Sequence, residues 1–84
     1  MAPVHAEAES RFDAALGHAQ AGRLDEAIDS YRLAIELRPD FFEALANMGN
    51  LLQRTRRRSE AIEAYRRALA LRPHEVNVLS LIHI

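Results

Sequence analysis

Shifted by 34 residues, the chain falls onto itself. Glu26, Ala27, Ile28, Tyr31, Arg32, Ala34, Leu37, Arg38 and Pro39 recur as Glu60, Ala61, Ile62, Tyr65, Arg66, Ala68, Leu71, Arg72 and Pro73. Similar residues extend the match: Asp25 against Ser59, Ala44 against Val78, Leu45 against Leu79. This constrains the fold more than any compositional figure. Each unit is one supersecondary piece that can bury its apolar face only against its neighbours.

Inside each unit the apolar period is helical. Ala27, Ile28, Tyr31, Ala34 and Ile35 make one buried stripe, repeated by Ala61, Ile62, Tyr65, Ala68 and Leu69. A second helix precedes each stripe, clearest in Leu45, Met48, Gly49 and Leu52. Asp25 and Ser59 are expected to cap helix N-termini, and Asp40 with Glu43 to form a capping box. Gly22 is expected as a left-handed C-cap. Pro39 and Pro73 end helices because the residue before proline is pushed out of helical geometry. The spacing predicts helices at about 4–21, 25–37, 41–55, 59–71 and 75–84. Short turns between them predict antiparallel pairs, hence an all-α chain.

Composition excludes several classes. With no Cys, disulfides and thiolate metal sites are ruled out. No apolar run approaches the roughly 20 residues that cross a bilayer, so no membrane role is expected. MAPVHAEAES has neither a basic start nor an apolar stretch, so a signal peptide is not read there and a cytoplasmic location is expected. Residues 1–45 carry 4 Arg against 9 acids, and residues 46–84 carry 7 Arg against 3 acids. All 11 basic residues are Arg, which resembles the coding bias of a GC-rich bacterial genome, so a bacterial source is expected by association.

The segments GRLDEAIDSYRLAIELRP and RRSEAIEAYRRALALRP are very similar to the second helix of a tetratricopeptide repeat, and LANMGNLLQ resembles the first helix of the next unit. The resemblance implies a right-handed solenoid of helical hairpins with about two and a part repeats in one domain, 1–84. Repeat one covers about 8–41, repeat two 42–75, and a partial third 76–84. Ala27, Ala61 and Gly49 are small where paired helices approach, with Ala15 corresponding to Gly49. Arg11 and His18 stand where the second unit has Leu45 and Leu52, which weakens apolar packing of the first helix. The end, LSLIHI, fits the repeat poorly and resembles a translated transposase adapter from sequencing libraries. Residues 79–84 are therefore expected to be non-native, and the natural protein longer.

The family's working surface is the concave face made by the first helix of each unit. The resemblance places Glu9, Phe12, Leu16 and Gln20 on it in one unit, and Glu43, Ala46, Asn47, Asn50 and Arg54 in the next. Asn47 and Asn50, three apart, point roughly the same way and can each donate to and accept from an extended peptide backbone. Their setting, ANMGN, is similar to the asparagine-bearing repeats of O-linked N-acetylglucosamine transferases. The carboxylate clamp of chaperone-binding members is not expected, because Phe12, Leu16 and Leu81 stand where basic or amide residues are needed.

No catalytic constellation emerges. His5, His18, His74 and His83 lack metal-ligand spacing and a carboxylate at helical reach, so no metal or cofactor is expected. Gly17, Gly22 and Gly49 are isolated, and the serines have no elbow motif. Arg54, Arg56, Arg57 and Arg58 could grip an anion, but no aromatic is interleaved to stack a base, and nucleic acid is not expected. The reading is a non-enzymatic protein-interaction scaffold holding a protein or peptide in its groove, with self-association through an exposed repeat end. The alternative is the substrate-recognition arm of a larger glycosyltransferase or sulfotransferase.

Overall fold

Each repeat's proline breaks the helix before it. Arg38 precedes Pro39 at φ −142°, ψ 89°, and Arg72 precedes Pro73 at φ −137°, ψ 80°, both extended. The computed structural model describes residues 4–73, with side chains from Ala6 onward. Four helices fill them: α1 Val4–Gln20, α2 Leu24–Leu37, α3 Phe42–Arg54 and α4 Arg58–Leu71. No strand occurs among the described residues. The expected helix 75–84, the partial third repeat and the non-native reading of 79–84 lie outside them. The architecture is an all-helical solenoid of about two repeats.

Helices α1 and α2 pack as one hairpin and α3 and α4 as a second, with α2 against α3 joining them. The apolar stripes meet in a single core. Ala15, Ala27, Ile28, Ala34, Ala44, Leu45 and Ala68 are fully enclosed, and among the described residues no polar or charged one is buried with them. Tyr31 and Tyr65 occupy equivalent places, each 2% exposed. Gly49 explains why one position is so small. A Cβ built there would lie 2.6, 2.8 and 3.0 Å from three Tyr65 ring carbons.

The turns close both hairpins with one backbone motif. The Arg23 N–H donates to the His18 carbonyl at 2.9 Å, and the Gly22 N–H to Ala19 at 3.1 Å. Thirty-four residues on, Arg57 donates to Leu52 at 2.8 Å and Arg56 to Gln53 at 3.1 Å. These pairs satisfy the last carbonyls of α1 and α3 in Schellman fashion. Gly22 takes φ +82° as its sequence predicts, and Arg56 takes φ +64° in the same place.

The expected N-caps are corrected. Both second helices begin one residue sooner, so Arg23 and Arg57 are the cap residues and neither makes a side-chain cap bond. Asp25 instead reaches forward to Arg57, at 3.0 Å, leaving its own helix for the next turn. The capping box is also absent. Phe41 caps α3, while Asp40 faces Arg38 at 3.5 Å and Glu43 pairs with Arg72 at 3.0 Å. A cation outcompetes the helix amide in each case, from a distant helix or turn for Asp25 and Glu43 and from two residues back for Asp40.

Candidate functional site

Helix α3 holds most of the residues expected to line the groove, because it lies between two tyrosine-bearing helices. Tyr65 on α4 reaches back across α3 through the space that Gly49 leaves open. Its hydroxyl donates to Asn50 Oδ1 at 2.7 Å, with Gln53 Oε1 at 3.1 Å. With its oxygen engaged, the Asn50 amide keeps its two N–H donors. Tyr31 on α2 faces the same helix from the other side, with the Asn47 amide near enough to act on its hydroxyl.

Burial raises both phenols above the ordinary tyrosine value. At Tyr31 the Asn47 amide opposes that rise, because it stabilises the phenolate. Tyr65 has burial alone. Both hydroxyls therefore stay protonated well into the alkaline range.

The other expected groove residues divide. Phe12 is drawn partly into the core, stacked on Phe41 with centroids 4.9 Å apart and edge-on to Tyr31 at 5.7 Å. Glu43 is held by Arg72, whose guanidinium also lies 4.2 Å from the Phe42 ring centroid. Leu16 and Ala46 are half-buried, while Glu9, Gln20 and Arg54 are exposed. Asn47 and Asn50 thus share a helix, each with a tyrosine hydroxyl near it, whereas Phe12 and Glu43 are committed elsewhere.

Sequence reasoning missed Gln53 and the polar role of the tyrosines. Gln53 stands three residues after Asn50 on α3, a spacing that could have revealed it. It also missed a carboxylate at a histidine. Glu26 approaches His18 Nδ1 at 3.7 Å across the turn, where helix spacing does not look, and Arg23 Nε donates to the same nitrogen at 3.3 Å.

On the opposite side, a groove of about 430 Å³ is lined by Arg32, Ile35, Glu36, Pro39, Met48 and Arg67. Ion pairs join the two hairpins, Arg32 of α2 to Glu60 of α4 at 2.5 Å and Asp25 of α2 to Arg57 in the second turn. No described helix is long and apolar enough to cross a membrane.

Comparison with known proteins agrees with this architecture. The crystal structure of MamA superposes with a TM-score of 0.87 at 23% identity, over 89% of this chain and 44% of MamA. The chain thus spans less than half of that protein, and the likeness concerns the fold. No curated protein matches. A family model described as "TPR repeat" matches residues 17–55, and one described as "Tetratricopeptide repeat" matches residues 42–75. With the period of 34, the paired hairpins and the equivalent tyrosines, the chain belongs to the tetratricopeptide-repeat family.

Proposed function

We propose that this chain is a binding scaffold whose α1 and α3 face holds an extended segment of a partner protein. Tetratricopeptide repeats generally mediate protein–protein interactions. The observation that carries the reading here is the Tyr65 hydroxyl bonded to Asn50, with the Tyr31 hydroxyl near Asn47 on the same helix. An amide held by a buried hydroxyl is pre-oriented, so little side-chain freedom remains to be lost on binding. Asn50 faces its ligand mainly as a donor, which suits backbone carbonyls and gives affinity with little sequence preference.

The test is an NMR titration of the isotope-labelled chain with a library of unstructured synthetic peptides. Binding in the groove moves the side-chain amides of Asn47 and Asn50 and the backbone of α1 and α3. The Asn47→Ala, Asn50→Ala double variant weakens it. Shifts confined to Leu33, Glu36 and Arg66, on α2 and α4, would sink the reading.

A second reading is favoured by a specific difference between the hairpins. Ile62 is 38% exposed on α4, although its counterpart Ile28 on α2 is fully buried, and Leu71 is 40% exposed. Together with the acidic first half and basic second half, this supports end-to-end association of copies. Sedimentation of the chain should then show concentration-dependent assembly that Ile62→Glu and high salt both reduce. A concentration-independent monomer excludes it.

A further inference from the structure

Six of the 11 arginines are engaged by acidic side chains: Arg11, Arg23, Arg32, Arg38, Arg57 and Arg72. Of the remaining five, three fall in the turn from α3 to α4. Arg54, Arg56 and Arg58 are all exposed there, and none has an ion-pair partner among the described residues. The equivalent positions of the first turn, Gln20, Gly22 and Leu24, carry no charge.

Two of these arginines stand where local physics opposes them. Arg56 holds φ +64°, a left-handed conformation that the other hairpin gives to glycine. Arg58 is the first residue of α4, where the positive end of the helix dipole repels a cation. Violations of local preference concentrate where a protein has a function to serve. The turn itself is firm. Thr55 donates its hydroxyl to the Leu51 and Leu52 carbonyls at 3.0 and 3.1 Å, and Asp25 ties Arg57 down.

We propose that Arg54, Arg56 and Arg58 form a docking surface for an acidic peptide segment of a partner protein. Guanidinium forks match carboxylates bidentately, and three on a short, firm turn suit closely spaced carboxylates. A peptide is favoured over nucleic acid because the turn presents no aromatic ring for a base to stack on, and the tyrosines are buried in the core. Arg54 follows Asn47 and Asn50 along α3, so the surface lies at one end of the proposed groove. The proposal does not depend on that groove.

Fluorescence anisotropy of the 84-residue chain with a labelled oligoglutamate tests this at low salt, beside a single-stranded oligothymidylate of equal charge. Arg56→Gly should weaken oligoglutamate binding about threefold, the value of one exposed charge pair, while raising the thermal midpoint. Loss of affinity together with a gain in stability separates docking from a structural role. Replacing Arg54 and Arg58 by Gln as well should bring the loss to about tenfold or more. Leu33→Ala, exposed on α2 and outside both surfaces, should leave oligoglutamate binding intact, and the asparagine variants are read with the peptides of the groove titration, so failure of the groove and failure of the turn are distinguishable. The proposal is overturned if the triple variant binds like the native chain, if Arg66→Gln with Arg67→Gln costs as much, or if oligothymidylate binds more tightly.

Discussion

The two hairpins share a backbone plan and differ in how thoroughly each first helix is used. Helix α3 buries Phe42, Ala44, Leu45, Met48, Gly49, Leu51 and Leu52, whereas α1 buries only Ala8 and Ala15 among its described side chains. The reason is position in the stack. Helix α3 has α2 on one side and α4 on the other, while α1 packs chiefly on α2. Arg11, at the place of Leu45, is exposed, and His18, at the place of Leu52, is half-buried beside Glu26 of α2, so neither position demands an apolar side chain. The second helices show the reverse: Ile28 is enclosed and Ile62 is not. Identical residues in a repeat therefore differ in worth according to their neighbours.

The sharpest way to break this comparison is to truncate matched positions. Leu45→Ala should cost about 2–5 kcal/mol, as for a fully enclosed leucine, while Arg11→Ala should stay within about 0.5 kcal/mol. Urea midpoints decide it, and equal losses would mean that α1 is packed as deeply as α3.

The next contrast concerns Gly49, against the Tyr65 ring, and Ala15, its counterpart in α1. Gly49→Ala forces the Tyr65 ring to move, an overpacking of about 1–3 kcal/mol partly offset by the roughly 1 kcal/mol that Ala gains over Gly in a helix. Ala15→Gly should also destabilise, by about 1 kcal/mol, for the opposite reason of backbone freedom. If Gly49→Ala stabilises instead, Tyr65 is free to yield and the Asn50 bond should lengthen with it. The side-chain amide shift of Asn50 reports that movement.

Exchanging the turns is expected to have a smaller, signed effect. Arg56→Gly should stabilise by about 1 kcal/mol and Gly22→Arg should destabilise by a similar amount, since both positions require positive φ. Thermal midpoints of the two variants moving the same way would contradict the shared Schellman geometry.

The smallest effect belongs to the seam between the hairpins. Arg32–Glu60 and Arg57–Asp25 join exposed side chains, so Glu60→Gln or Asp25→Asn should each cost no more than about 1 kcal/mol. That loss should shrink further in high salt, where such pairs are screened. A loss that persists at high salt would show that these pairs, and not the α2–α3 core, hold the repeats together.

How far the fold could be read depended on the kind of feature. Helix ends were legible to within a residue because Pro39, Pro73 and Gly22 act on their own backbone. Asp25, Asp40 and Glu43 were misread as caps because a carboxylate has competing partners: Arg57 and Arg72 come near only after folding, and Arg38 lies two residues from Asp40. In the candidate site, Asn47 and Asn50 stood out by spacing. Gln53, the reach of the two hydroxyls, and the diversion of Phe12 and Glu43 did not, since each depends on a second helix.

By itself, then, the sequence determined the period, the helices, the buried tyrosines and the breaks at proline, all set by local sterics and by which side chains water rejects. The tertiary structure alone decided which donor meets which acceptor. It brought the Tyr65 hydroxyl to Asn50, left Ile62 open where Ile28 is closed, and set Arg56 in a glycine's conformation. The physical reason is range: φ and ψ preferences act within a few residues, whereas a hydroxyl or guanidinium finds its partner only across helices that packing has already brought together.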